Sequence, residues 1–184
     1  MKKLALILIL TVSVAWPAFV SAQSPIDKVF EKYAGQEGFT SVNISKEMFQ
    51  MFGQMLMDKK DTDAIEMKKM MDQLNGLKLL TYTVDSTQMS KAVTIYNEFA
   101  GLFPASAYKE LMTVNEGREN YKFLTRQDGA GKITELVMLM KGKHEVMVIS
   151  MTGNIDLSSI SKITKGMNIK GMENLDKLKE HPKN

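Results

Sequence analysis

Residues 119–151 read ENYKFLTRQDGAGKITELVMLMKGKHEVMVISM, and this stretch decides the fold. Its first part alternates polar and apolar side chains, and its later parts are almost continuously apolar. The glycine-containing breaks at 128–131 and 141–143 are typical of tight turns between strands. The stretch therefore predicts an antiparallel three-stranded meander over residues 119–126, 133–140 and 144–151.

Two earlier segments also have the composition of strands. Residues 39–44 form a short run with high strand propensity, and residues 77–84 carry apolar side chains on both faces. A strand with two apolar faces is expected inside a sheet rather than at its edge. Together with the meander, these segments predict an antiparallel sheet of about four to five strands.

Helical periodicity dominates the first half of the chain and returns near its end. Apolar residues recur three and four positions apart, which is typical of helices with one buried stripe. We predict helices that begin at Ser24-Pro25, Ser45, Asp63, Asp85 and Asp156, and a short helical piece at 107–113. The third helix is expected to stop at Asn75-Gly76 and the fourth at Pro104. Gly153-Asn154 is expected to close the last strand, and the last helix to bury Leu157, Ile160 and Ile163. The second helix is expected to carry Met48, Phe49, Phe52, Met55 and Leu56 on one apolar face, and the third is expected to bury Met67, Met70, Met71 and Leu74.

This distribution of elements predicts the fold class. Helices cluster in the first half and strands in the second, which is typical of a single α+β domain. We expect one antiparallel sheet with the helices packed on one face. The domain is predicted to span residues 23–179, with a frayed tail at 180–184.

The N-terminus has the pattern of a secretory signal peptide. Lys2 and Lys3 precede an apolar run at 4–14, and small residues at 20–22 predict cleavage between Ala22 and Gln23. The alternative is an uncleaved membrane anchor, but Pro17 interrupts the run before the roughly twenty apolar residues that a spanning helix needs. We therefore expect export to the periplasm or outer envelope, or secretion.

Composition excludes several classes of site. The chain has no cysteine, which removes a lipid-modified N-terminus, disulfides, thiol catalysis and zinc–thiolate sites. Without Lys2 and Lys3, 22 basic residues face 21 acidic ones, so the mature net charge is +1. That balance gives no electrostatic case for nucleic acid or an anionic membrane. We expect a monomer without an integral membrane segment after cleavage.

Four features together resemble a known family. They are the strand at 39–44, the Ser45-Lys46-Glu47-Met48 helix start, the strand at 133–137 and the run at 149–157. In that order they are similar to domain-of-unknown-function family 4252 (DUF4252), small exported proteins of Gram-negative bacteria. The resemblance covers residues 28–167. It implies an envelope protein and carries no activity, cofactor or catalytic residue.

Methionine is the unusual component, with 16 residues in the chain. Met48, Met51 and Met55 fall on adjacent turns of the second predicted helix, and soft thioethers in an oxidising compartment favour Cu(I). Methionine also fills irregular core space and forms adaptable surfaces for partners or apolar ligands. The residues that we expect to be exposed are Met51, Met55 and Met57.

No catalytic constellation is present in the sequence. His144 and His181 lack metal-ligand spacing, and no Gly-x-Ser-x-Gly elbow occurs. The sequence therefore predicts a non-enzymatic binding or interaction module with an envelope protein as partner, and without a cofactor or metal site. Two alternatives remain: a protein that handles a small apolar ligand or Cu(I), and a hydrolase without a recognisable signature.

Overall fold

The computed structural model describes residues 24–55, 62–84, 89–157, 160 and 170–176, except the side chains of residues 63, 173 and 176. The predicted signal peptide, Met57, Leu56, Ile163 and the tail at 180–184 lie outside these residues. Within the described ranges, no helix has the length and apolar character needed to cross a membrane.

Helices and strands alternate irregularly along the described chain. The helices are α1 (Ile26–Tyr33), α2 (Lys46–Met55), α3 (Thr62–Gln73) and α4 (Met89–Gly101), with a short 3₁₀ helix at Met172–Asp176. The strands are β1 (Phe39–Ser45), β2 (Leu74–Thr83), β3 (Lys109–Glu116), β4 (Glu119–Gln127), β5 (Ile133–Lys141) and β6 (Glu145–Ile155).

All six strands form one antiparallel sheet in the order β1-β2-β6-β5-β4-β3. The predicted α+β class is confirmed, and the predicted meander is the run β4-β5-β6. The sheet is larger than the four to five strands that we expected. The additional strand is β3, which occupies most of the segment predicted as a helix at 107–113.

The predicted placement of the helices on one face is wrong. Leu136, Met138 and Met140 of β5 pack with α2 and α3 on one side, which we call the first face. Val137 and Leu139 pack with α1 and α4 on the opposite side, the second face. Because the central strands are apolar on both sides, each face needs its own helical layer to exclude water.

Two predicted helix ends also differ from the structure. The third helix was expected to bury Leu74 and stop at Asn75, but α3 ends at Gln73 and Leu74 begins β2 opposite Gly153. The fourth was expected to reach Pro104, but α4 ends at Gly101. In the first case pairing with β6 decides the boundary. Helix ends are in general the least reliable part of a prediction from periodicity.

Candidate functional site

A cavity of about 570 Å³ lies on the second face, where the start of α1 meets one end of the sheet. Most of the residues that line it are polar, and they come from α1, β1, β2, β4, β5 and β6. The charged residues on the wall are Asp27, Lys78 and Arg126. A cavity of this size is within the range of small-molecule sites.

Irregularities in the sheet converge at this cavity. The β2–β6 register shifts between Leu74 and Gly76, the β5–β6 register between Ile133 and Glu135, and the β4–β5 register between Arg126 and Gln127. Bulges of this kind bend a strand and re-aim its side chains, and they are over-represented beside functional sites. Here they turn polar residues of four neighbouring strands toward one space.

Gly153 makes the close approach at this end of the sheet possible. Its φ is +148°, and a Cβ atom placed on it would lie 2.3 Å from the carbonyl oxygen of Gln73. Only glycine fits such a backbone contact. The sequence predicted that Gly153 would close the last strand, whereas β6 continues through it to Ile155.

Glu135 lies beneath the wall of the cavity and is completely buried. The hydroxyls of Ser24 and Ser150 each donate to its Oε1 at 2.5 Å. Its Oε2 accepts from the Tyr108 hydroxyl at 2.8 Å and pairs with Arg126 Nη2 at 3.0 Å. Four donors thus satisfy the buried carboxylate, as a charge removed from water requires.

Tyr108 and Ser24 are fixed by this carboxylate. Burial, with the hydrogen bond to Glu135, raises the pKa of the Tyr108 hydroxyl well above its usual range. Ser24 was expected to cap α1, but its hydroxyl donates to Glu135, and no side chain among the described residues caps the helix. The start of α1 is therefore attached to β5 rather than capped locally.

Arg126 connects the buried carboxylate to the cavity. One guanidinium nitrogen pairs with Glu135, and the guanidinium carbon lies 5.8 Å from the centre of the Tyr108 ring. The side chain remains 30 % exposed, and its buried Nε has no acceptor among the described residues. An arginine held by a carboxylate and an aromatic ring is oriented before any ligand arrives.

Lys78 and Asp27 form a second ion pair on the wall of the cavity. Lys78 Nζ also lies 5.4 Å from the centre of the Phe30 ring, a cation–π distance. Both side chains are partly exposed. The site therefore combines two cations with two carboxylates and has no net charge.

The predicted methionine candidates lie elsewhere, on α2 and the first face. Met51 is 49 % and Met55 is 70 % exposed, while Met57 is outside the described residues. Met48 and Phe52, which we expected in the core, are also exposed, and Phe49 and Gly53 are the buried positions of α2. The structure does not bring these methionines to the cavity.

His144 lines a second cavity, of about 460 Å³, with Arg118, Lys141 and Lys143. No three His, Asp or Glu side chains in the described ranges come together as metal ligands. Sequence reasoning singled out His144 and did not find Glu135. The available signal was one carboxylate inside the mostly apolar run ITELVMLM, since a buried charge requires partners.

A family model matches most of this chain. It is described as "Domain of unknown function (DUF4252)" and covers residues 33–163, which lie inside the span of the resemblance seen in the sequence. The family suspected from the sequence is therefore confirmed. Comparisons with curated proteins and with solved structures found no match.

Proposed function

The chain belongs to the DUF4252 family, and we propose that it is an exported, non-enzymatic binding module for a small zwitterionic ligand. The ligand class is that of amino acids and short peptides with a free ammonium and a free carboxylate group. The observation that carries this proposal is the pair of ion pairs on the cavity, Arg126–Glu135 and Lys78–Asp27.

Charge balance favours a ligand with both signs. An entering ligand with only negative charge would meet Asp27 as well as the cations, and one with only positive charge would meet Lys78 and Arg126. A zwitterion can place its carboxylate on the exposed side of the Arg126 guanidinium and its ammonium beside Asp27. Arginine is well suited to the first contact because its planar donors match a carboxylate.

The hydrogen bonding of Glu135 supports binding rather than catalysis. Its two oxygens are already occupied by Ser24, Ser150, Tyr108 and Arg126. A general base must reach the proton that it abstracts, whereas this carboxylate is buried behind its donors. Its role in the proposal is to hold Arg126 and the start of α1 in place.

The test uses the dipeptide Ala-Ala and two blocked forms, N-acetyl-Ala-Ala and Ala-Ala amide. Binding to the purified protein is measured by saturation-transfer NMR and by the shift of its melting temperature. We expect the free dipeptide to bind and each blocked end to weaken binding. A ligand that binds only the native state stabilises it by RT ln(1 + c/Kd), where c is the free ligand concentration, so the melting temperature rises with the logarithm of that concentration once it exceeds Kd.

Two variants and one control assign the contacts. Arg126→Gln should remove the preference for the free carboxylate, and Asp27→Asn the preference for the free ammonium. Lys122→Gln, on the same strand as Arg126 but paired with exposed Glu110, should bind like the wild type. Equal binding of free and blocked dipeptides, or no binding of any, would refute the proposal.

A second candidate function rests on the exposed methionines of α2. Met48, Met51 and Met55 lie on successive turns and are all partly exposed, so their thioethers are available to Cu(I) or to an apolar ligand. Titration of the purified protein with Cu(I) against a competing chelator tests this candidate. Tight binding that Met51→Leu and Met55→Leu weaken would support it, and no binding would end it.

A further inference from the structure

The two edges of the sheet differ in their protection against pairing with another chain. Edge strand β3 carries Lys109, Glu110 and Glu116, and its register with β4 shifts between Glu110 and Met112. Charges and bulges of this kind prevent strand addition. Edge strand β1 reads FTSVNIS, has neither charge nor proline, and pairs with β2 in unbroken register.

The outward backbone groups of β1 follow from the pairing with β2. The Thr83 N–H donates to the Gly38 carbonyl at 2.9 Å, which starts the alternation of the antiparallel ladder. Continuing that alternation points the N–H and C=O groups of Thr40, Val42 and Ile44 toward β2. Those of Ser41 and Asn43 point away from the sheet, and the described residues provide no strand there.

An apolar surface follows the same edge. Met48, Met51, Phe52 and Met55 are spaced i, i+3, i+4 and i+7 on α2, so they form one line, which we call the α2 stripe. All four are at least 38 % exposed. Val42 of β1 is 40 % exposed and pairs with Leu79, which belongs to the first face, where α2 also lies.

The α2 stripe faces outward past β1. Gly53, on the buried side of α2, lies against Lys68 and Met71 of α3. At about 100° per residue, the stripe lies roughly 150° around the helix from Gly53. Since α3 contacts β2 and β6, it occupies the side of α2 toward the centre of the sheet. The stripe is therefore on the opposite side, at the edge.

We propose that β1 and the α2 stripe together form the interface of a symmetric dimer of this chain. In it, β1 pairs antiparallel with β1 of a second copy, so that one sheet continues through both copies. The two α2 helices pack against each other above the joined strands. This assignment differs from the monomer that the sequence favoured, and it does not depend on the proposed ligand.

The strand is complementary to itself. A two-fold axis at Val42 pairs Ser41 of one copy with Asn43 of the other, which are the residues whose backbone groups point outward. The two Val42 residues then form a close pair without mutual hydrogen bonds, at about 4.5 Å between Cα atoms. Because β1 is uncharged, this pairing brings no like charges together.

The spacing of the helices decides between a second copy and a single extended peptide. Because α2 contacts both β1 and β2, its axis lies near the line between those strands. With strands about 4.8 Å apart, the two α2 axes are then about 10 Å apart, which is the distance of packed helices. A peptide strand would satisfy the edge of β1 but leave the α2 stripe in water.

Sedimentation velocity of the purified protein over a concentration series tests the dimer. We expect the dimer mass at high concentration and dissociation on dilution. Val42→Lys places two lysines face to face and should weaken the dimer by on the order of a hundredfold or more. Met55→Glu should also weaken it, whereas Thr113→Lys on the other edge strand should leave it unchanged.

A single engineered cysteine checks the register. The chain has no cysteine, so Val42→Cys can form a disulfide only between copies. The expected Cα separation at the two-fold axis is within disulfide range. Mild oxidation should cross-link Val42→Cys rapidly and a Thr113→Cys control slowly. A monomer at all concentrations, or a dimer that resists Val42→Lys or Met55→Glu, would overturn the proposal.

Discussion

The substitution Glu135→Gln tests the centre of the candidate site because it removes one charge and almost no volume. Two donors bind each oxygen of the carboxylate, so in the variant one pair must face an amide nitrogen. The Ser24 and Ser150 hydroxyls can rotate and accept from that nitrogen, since a hydroxyl both donates and accepts. The amide oxygen would then face Tyr108 and Arg126.

The remaining cost comes from Arg126, whose partner loses its charge. Breaking one side of a buried ion pair typically costs 3–5 kcal/mol. Because the serines can adapt and the Arg126 side chain left behind is 30 % exposed, we expect about 3 kcal/mol, the lower end of that range. With a urea slope near 2 kcal/mol per M, the unfolding midpoint should fall by about 1.5 M.

Urea unfolding followed by far-ultraviolet circular dichroism measures this shift. Glu110→Gln is the matched control, because Glu110 forms an exposed ion pair with Lys122 in the same sheet. Exposed pairs contribute about 0–1 kcal/mol, so the control should move the midpoint by less than about 0.5 M. If Glu135→Gln shifts the midpoint no more than Glu110→Gln, the charge of Glu135 does not hold this site together.

Two further predictions address the backbone and the C-terminal 3₁₀ helix. Gly153→Ala should destabilise the fold by more than about 3 kcal/mol in the same urea assay, because the added Cβ would overlap backbone atoms. Gly129→Ala is the control and should have little effect, because the space around Gly129 is open. Similar unfolding midpoints for the two variants would contradict this prediction. The Tyr121 hydroxyl and Lys170 lower the pKa of Glu119. The ionised Glu119 carboxylate therefore contributes its full stabilisation of the fold above about pH 4.5, and this contribution is lost as the pH falls through the lowered pKa. The protection factors of the 3₁₀-helix amides, which are corrected for the pH dependence of intrinsic exchange, should therefore fall in acid. Lys170→Gln should reduce that pH dependence, and protection factors that do not change with pH would count against this tether.

The meander was predictable because its strands are defined locally by alternation and by glycine turns. Strand β3 was not, since Lys109, Glu110, Leu111 and Met112 all favour helices in isolation. That segment becomes a strand because it pairs with β4, and such pairing overrides intrinsic preference. The presence of helices on both faces of the sheet could have been predicted from the sequence, because the segment that forms β2 is apolar on both faces.

The stripe of α2 shows a different limit of sequence reasoning. Periodicity correctly finds that Met48, Phe52 and Met55 share one side of a helix, but it does not say what covers that side. In the structure Phe49 is turned to the sheet and Gly53 to α3, while the stripe is exposed. Whether an apolar stripe belongs to a core or to an interface depends on the position of the helix at the sheet edge.

The candidate site could not be predicted from local sequence patterns, because its residues are distant from one another in the sequence. Ser24 is 111 residues from Glu135, and Tyr108 is 27 residues from it. A motif search finds residues at fixed spacing, whereas this network is assembled by the strand register and by the docking of α1. What the sequence does offer is the lone carboxylate in an apolar strand, which requires partners but does not name them.

Successive side chains of β1 point to opposite faces of the sheet, so the ligand proposal and the dimer proposal can be tested separately. Side chains at Asn43 and Ser45 line the cavity on the second face, whereas Val42 belongs to the first face and the proposed dimer contact. Variants at Val42 therefore leave the cavity wall intact, and variants at Arg126 leave the edge intact. The backbone of β1 is nevertheless shared, so pairing with a second copy would hold Asn43 and Ser45 in place. Any resulting gain in ligand affinity must appear, by linkage, as an equal gain in dimer affinity when ligand is bound.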